Sequence, residues 1–390
     1  MTAPRFERIE LVAYVALALG LGLIQFHISA EVFLDIAGLL WLYIAVREGR
    51  RPDVPRFFIP LMALAAWTLL SCAMSSDPAT SFMRSRQLLL LLIVPGVLRL
   101  ARGERAGRIL DVIIAFGAIA ALVGVIQYYV LGFDEINRRP RGLLDHYMTY
   151  SGLLMLIVCS AVARLLYRDR EWIWPAIAVP ALVVALALTQ SRNAWVGAVL
   201  AATVLFAIRD RRLLLVLPLL AVVGAVVAPE SVRHRAMSVF DSHDTASQDR
   251  RAMLVAGVHM VKDHPVFGVG MNMVPRVYLQ YRTADAVDSA DATGPETRSH
   301  LHNVPMQLAA ERGLPALAFW LWFIVVAFRD LYRQTREGPA RALAAAGLAA
   351  LVAMIGAGLF EHNFGDSEFL ILFLGVISLP FAAARGAVKA

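Results

Sequence analysis

The sequence predicts an all-α polytopic membrane protein of about twelve transmembrane helices, with a large loop between spans nine and ten. Three observations carry this. Of 390 residues, 59% are hydrophobic and only 17% charged, far from the balance of a soluble domain. The apolar residues come in runs of roughly 17 to 25, the length of a helix that crosses hydrocarbon. Short alternating segments of the kind a β-barrel needs are not evident. Hydrocarbon offers no partner to a backbone N–H or C=O, so runs of this length must satisfy themselves as helices.

In order, the runs lie near 10–27, 29–46, 57–75, 87–100, 109–131, 147–167, 173–189, 193–208, 213–228, 303–328, 342–360 and 369–384. The first has no cleavable small-residue site after a short core and reads as a retained helix, not a signal peptide. Spans one to nine thus occupy 1–228, a polar segment 229–301, and spans ten to twelve 302–390. Lys and Arg set the orientation, because short cytoplasmic loops keep them. With the N-terminus inside, Arg47, Arg50, Arg51 and Arg56 share one face with Arg99, Arg102, Arg105 and Arg108, with Arg209, Arg211 and Arg212, and with Arg329, Arg333 and Arg336. Both termini are then cytoplasmic and the polar segment is outside. The net charge of +7 mostly reflects this asymmetry, so nucleic acid is a poor inference from it.

All nine histidines fall on or near the outer face in this topology, although a preference of His for loops explains much of that. Cys72 and Cys159 lie within or at the end of spans and suggest neither a disulfide framework nor a metal site. A transporter would more often show two symmetric halves and line its path with ionisable side chains. Here no repeat is apparent and the spans are almost free of such residues. Within the polar segment, Asp249 to Asp263 reads as a helix on the membrane surface with Met253, Val255, Val258 and Val261 on one face, ended by Pro265, Gly268 and Gly270. Thr283 to Ser299 reads as a mobile linker. Its Asp285, Asp288 and Asp291 are spaced by three, unlike the alternate-position ligands of a calcium loop.

Three places on the outer face have the chemistry for a lipid-linked phosphate. Arg192, in Thr189-Gln190-Ser191-Arg192-Asn193, is either a snorkelling anchor at the interface or a guanidinium that grips a phosphate with two parallel hydrogen bonds. Arg250 and Arg251 at the start of the surface helix reach toward the same phosphate, or form a solvated helix end. His302, beside Asn303, is a near-neutral base where the chain re-enters a helix, or a hydrogen-bonded, capping residue.

Jointly, Thr189-Gln190-Ser191-Arg192-Asn193-Ala194-Trp195, then Arg250 ahead of Asp263-His264-Pro265-Val266-Phe267-Gly268-Val269-Gly270, then His302-Asn303 with Gln307-Leu308-Ala309 and Glu311-Arg312-Gly313-Leu314-Pro315 resemble the O-antigen ligase and polymerase family of bacterial envelope glycosyltransferases. The resemblance covers about half the chain. Chain length and the single late outer loop look most like the ligases, which move a glycan from undecaprenyl diphosphate to the lipid A core. It implies a membrane-embedded glycosyltransferase fold of the GT-C-like type in the bacterial inner membrane. It further implies inverting transfer at the periplasmic face with no metal or other cofactor. Carried over by position, His302 is the base, and Arg192 with Arg250 or Arg251 holds the donor diphosphate. Arg139, Arg141 and His146 resemble a further family stretch near the site, and with Asn303 and His300 they are expected substrate contacts. The implied partners are the undecaprenyl diphosphate-linked glycan, the lipid A core oligosaccharide and membrane lipids. Metal-dependent relatives of this fold class place an acidic motif in the first outer loop, where this chain has only Glu31. Asp145 and Glu361 are left without a role.

Overall fold

A computed structural model of the chain describes residues 3–26, 28–49, 54–135, 138–167, 173–238, 245–283 and 300–387. Their regular elements are all helices, with no strand among the described residues. The elements are α1 (Ala3–Gly22), α2 (Ile28–Glu48), α3 (Phe58–Ala73), α4 (Pro78–Ser85), α5 (Ile93–Leu100), α6 (Glu104–Tyr129), α7 (Tyr147–Tyr167), α8 (Ile173–Leu188), α9 (Arg192–Arg209), α10 (Val216–Val227), α11 (Glu230–Met237), α12 (Thr245–Asp263), α13 (Val274–Tyr281), α14 (Val304–Glu337), α15 (Arg341–Gly358) and α16 (Ser367–Ala387). Each of the twelve predicted runs falls on helix, but not all have a span's dimensions. Among the described residues eight helices are long and apolar enough to cross a membrane; Phe58–Ala73 and Ile173–Leu188 are apolar but shorter. α2 carries Glu31, Asp35, Arg47 and Glu48, and α10 is 12 residues long with no buried side chain.

The bundle closes around α15, which packs on α7, α9, α14 and α16. Its run of alanines and glycines lets neighbouring backbones come close, the usual device where lipid supplies no hydrophobic drive between helices. A Cβ on Gly197 of α9 would lie 2.7 Å from the Ala353 carbonyl oxygen of α15. At the arginine-rich end, Arg99 binds Glu10 at 3.0 Å and also binds Glu48, and Arg164 binds Asp111 at 2.7 Å. The spans are therefore less free of ionisable residues than expected, with these charges paired near helix ends. α7 is 21 residues long, so Arg164 sits roughly 25 Å from the end at which α7 begins.

The described residues of the polar segment are largely helical. α12 packs against α14, burying Met253, Ala256 and Met260 with Leu301 and Ala310. The expected apolar face is half right: Met253 is buried and Val261 packs against the same cluster, whereas Val255 is 43% and Val258 39% exposed, and Ala256 and Met260 take their place on the packed side. A Cβ on Gly257 would meet Met306 Cγ at 2.5 Å. The linker and its three aspartates lie, from residue 284 on, outside the described residues.

Two of the sequence motifs form one structural unit. The run His264 to Gly270 lies along Ala310 to Leu314: Val269 N–H donates to the Ala310 carbonyl (2.8 Å), Gly270 N–H to Glu311 (3.0 Å) and Leu314 N–H to Pro265 (2.8 Å). Gly313 makes this possible by breaking α14 with φ 81° and ψ 172°, and a Cβ there would fall 1.9 Å from the Val266 carbonyl oxygen. Gly313→Ala is therefore expected to cost more than about 3 kcal/mol, read as a large fall in unfolding temperature in detergent. An unchanged transition would mean the kink is not required for the fold.

Candidate active site

At the end where α7, α9 and α14 begin, the chain gathers histidine, carboxylate and arginine around a cavity of about 350 Å³. Its wall includes His146, Asn193, His300, Glu311, Glu361 and Asp366. Each comes from a loop or helix start held by local chemistry. Asn303 caps α14, its side-chain oxygen accepting from Met306 N–H at 2.8 Å, and Pro305 occupies the first turn, where a missing N–H costs nothing. Leu301 N–H is tied to Gln307 Oε1 at 2.7 Å. Between these anchors His302 adopts φ 48°, a left-handed conformation that a non-glycine residue occupies only when its surroundings enforce it.

Glu361, in the turn between α15 and α16, is the centre of the cluster. Its Oε1 is 2.6 Å from His300 Nε2 and its Oε2 2.8 Å from His302 Nδ1. Burial opposes the charge on this carboxyl, but hydrogen bonds and charge from the two rings outweigh it and hold Glu361 well below the ordinary carboxylate range. Burial also pulls His300 down, and the hydrogen bond and charge of Glu361 more than reverse this, so its affinity for a proton is raised. An ionised carboxylate only accepts, so each facing ring nitrogen must carry the hydrogen. In its neutral form His302 would then offer Nε2 as an acceptor, the arrangement that orients a general base. The pair also sets a stability window. The Glu361 contribution is present above the ordinary carboxylate value and is lost as pH falls through its depressed one. The His300 contribution is present below the ordinary imidazole value and is lost as pH rises through its raised one.

Arg84 and Arg312 line the cavity, and the arginines singled out in the sequence lie next to it. Arg139 is buried at 7% exposure, stacks over the Tyr147 ring at 4.5 Å, and its Nε has no hydrogen-bond partner. Burial, with the positive charges of Arg192 and Arg250, holds this guanidinium below the usual arginine value. Three like charges acting on one another mark a place that favours an anion. Arg192 opens α9 and donates to Ser238 Oγ at 3.2 Å. The turn before it is fixed by Gln190 at φ 54°, by Gln190 Nε2 donating to the Asp134 carbonyl at 3.1 Å, and by Trp195 Nε1 donating to Leu186 at 3.0 Å. Asn193, which follows Arg192, and His146, which precedes Tyr147, both line the cavity, so the cationic group adjoins the histidine cluster.

Of the residues singled out in the sequence, His146, His300 and His302 are assembled around Glu361, and Arg139, Arg192 and Arg250 with one another. Arg251 is exposed beside the half-buried Arg250. Arg141 is also exposed, donating to the Asp145 carbonyl at 3.2 Å, and Asn303 has the structural task described above. His302 does not itself line the cavity, and its side chain is 20% exposed. Sequence reasoning left Glu361 without a role, counted His362 only among the outer-face histidines, and left Asp366 unremarked. An acid and a histidine in a short turn between two apolar runs, on the histidine-rich side, was the available signal.

Residues 176–321 match the family model described as O-antigen ligase. Over these residues the chain is similar to the O-antigen ligase family. The O-antigen ligase segment runs from α8 past the kink of α14 and contains Arg192, Arg250, His300 and His302, while Arg139, His146 and Glu361 lie outside it. The family comprises glycosyltransferase-like ligases and polymerases that use lipid-linked glycans and lipid acceptors. No curated protein matches the chain.

Proposed function

We propose that this protein is an O-antigen ligase that transfers a glycan from undecaprenyl diphosphate to a hydroxyl of the lipid A core oligosaccharide, at the periplasmic face of a bacterial inner membrane. The observation that carries the reading is the His302–Glu361 contact beside a convergent set of arginines. His302 Nε2 takes the proton of the acceptor hydroxyl as its oxygen attacks the anomeric carbon. The bond from that carbon to the diphosphate breaks with inversion, and undecaprenyl diphosphate leaves with its charge held by Arg192, Arg250 and Arg139. His300 and His146 face the cavity where the sugars would sit. The same donor chemistry serves a polymerase, in which the acceptor is another lipid-linked glycan. Lipopolysaccharide banding of a deletion strain separates the two: loss of the ladder with accumulated long lipid-linked glycan supports the ligase, and a single-repeat cap supports the polymerase.

Arg192→Lys is expected to lower transfer on the order of 10²-fold, nearly as far as Arg192→Ala, because a point charge does not reproduce the planar fork at a diphosphate. Most activity surviving in the lysine variant would favour the snorkelling anchor. Arg250→Ala is expected to be worse than Arg251→Ala in the same assay.

The reading needs no divalent metal, since guanidiniums supply the positive charge at the leaving group. Transfer by protein in nanodiscs is expected to persist in excess EDTA. Loss of turnover on chelation, with rescue by magnesium or manganese, would defeat it.

A further inference from the structure

His300, His302 and Glu361 also meet the requirements of a metal site that the reaction above does not use. One ring nitrogen of His300, one of His302 and a Glu361 oxygen lie within 4.8 Å of one another, and the two rings are 4.4 Å apart at their centroids. A tetrahedral zinc ion with bonds near 2.0–2.1 Å would need its ligand atoms about 3.4 Å apart, so the two imidazole nitrogens, now 2.6 and 2.8 Å from the carboxylate oxygens, would each draw back by roughly 0.6–0.8 Å to admit it. Two imidazoles and one carboxylate suit a borderline ion such as zinc. They do not suit magnesium or calcium, which require more oxygen ligands than one carboxylate supplies. The adjoining cavity leaves room for a water in the fourth position. His362, whose ring centroid is 5.8 Å from that of His300 and whose buried Nδ1 has no hydrogen-bond partner, adds a further imidazole at its edge.

The geometry points to a site for a zinc-like divalent ion on His300, His302 and Glu361, whose occupancy switches transfer off. The inhibitory consequence rests on the proposed role of His302. With Nδ1 bound to Glu361 through hydrogen, Nε2 is the acceptor. With Nδ1 bound to a metal, the neutral ring carries its hydrogen on Nε2, and no lone pair remains to take the acceptor's proton. Binding displaces the hydrogens that now face the carboxylate, so it competes with protons and weakens as pH falls.

The test uses the full chain in nanodiscs, with zinc as the probe. Titration against a chromophoric competing chelator is expected to show one zinc per chain. Glu361→Gln and His300→Ala should each weaken binding by more than about tenfold, since loss even of an outer-shell partner costs that much. His259→Ala, on the exposed side of α12, should leave it unchanged. Equal binding in all three variants overturns the site and assigns the zinc to scattered surface histidines. A zinc absorption-edge spectrum of unmodified protein, which depends on no variant folding, is expected to show two imidazole ligands. An all-oxygen shell overturns the proposal. Transfer should fall as the site fills, recover with EDTA and ignore magnesium. Zinc bound at this site with transfer undiminished would uphold the metal site and count against His302 as the base, so the two failures are distinguishable.

Discussion

Replacing His302 by alanine is expected to abolish detectable glycan transfer while the protein still folds and inserts. The loss expected for a positioned general base is about 10² to 10⁴-fold, and in a strain dependent on the enzyme this reads as absence of the lipopolysaccharide ladder. Three observations argue for a loss at the upper end. The ring is fixed by a carboxylate at 2.8 Å, its backbone is held in a left-handed conformation, and its neighbours are tied by Gln307 and the Asn303 cap. A ladder of normal density from the alanine variant, with expression matched, would remove His302 from the mechanism. His300→Ala is the informative companion, because His300 faces the cavity and His302 does not. If only His300 were indispensable, the two would exchange roles.

Glu361→Gln is expected to be almost as damaging, on the order of 10³-fold or more by analogy with the loss seen when a base-orienting aspartate becomes an amide. The amide has one accepting and one donating end, so it satisfies one of the two rings as they now stand and forces the other to present a lone pair. It also removes the charge that raises the proton affinity of His300, so protonating that ring would leave it without a buried counter-charge. The variant should therefore lose turnover and show an altered pH profile, whereas a purely structural role would lower the amount of folded protein and leave the profile of the remainder unchanged. Retention of near-normal turnover in Glu361→Gln would mean that Glu361 only packs the turn between α15 and α16.

Much of this was legible in the sequence, and the reasons for the rest are physical. Apolar runs located the helices, because hydrocarbon length and backbone satisfaction leave few alternatives. They were weaker guides to which helices have a span's dimensions, as α2 with its acids and the short α10 show. Arg192, Arg250, His300 and His302 stood out through motif spacing, and the structure places them at one end of the bundle. Glu361 escaped because an acid in a short turn looks like solvated connection until tertiary packing buries it between two imidazoles. The α12 face was misjudged at Val255 and Val258 because valine outranks alanine and glycine in hydropathy. Close helix contact instead selects Ala256 and Gly257, the latter against Leu301 and Met306.

The break at Gly313 also bears on what the bilayer has to accommodate. A straight helix of 34 residues would be about 51 Å long, far more than the roughly 30 Å of hydrocarbon. With the direction of the chain changed at residue 313, the leading nine residues border the cavity through Gln307, Glu311 and Arg312, and only the remainder, about 36 Å long, has to match membrane thickness with a modest tilt. Glu311 and Arg312 thus sit on a helix without being charges in lipid. One glycine divides a single element between two solvents.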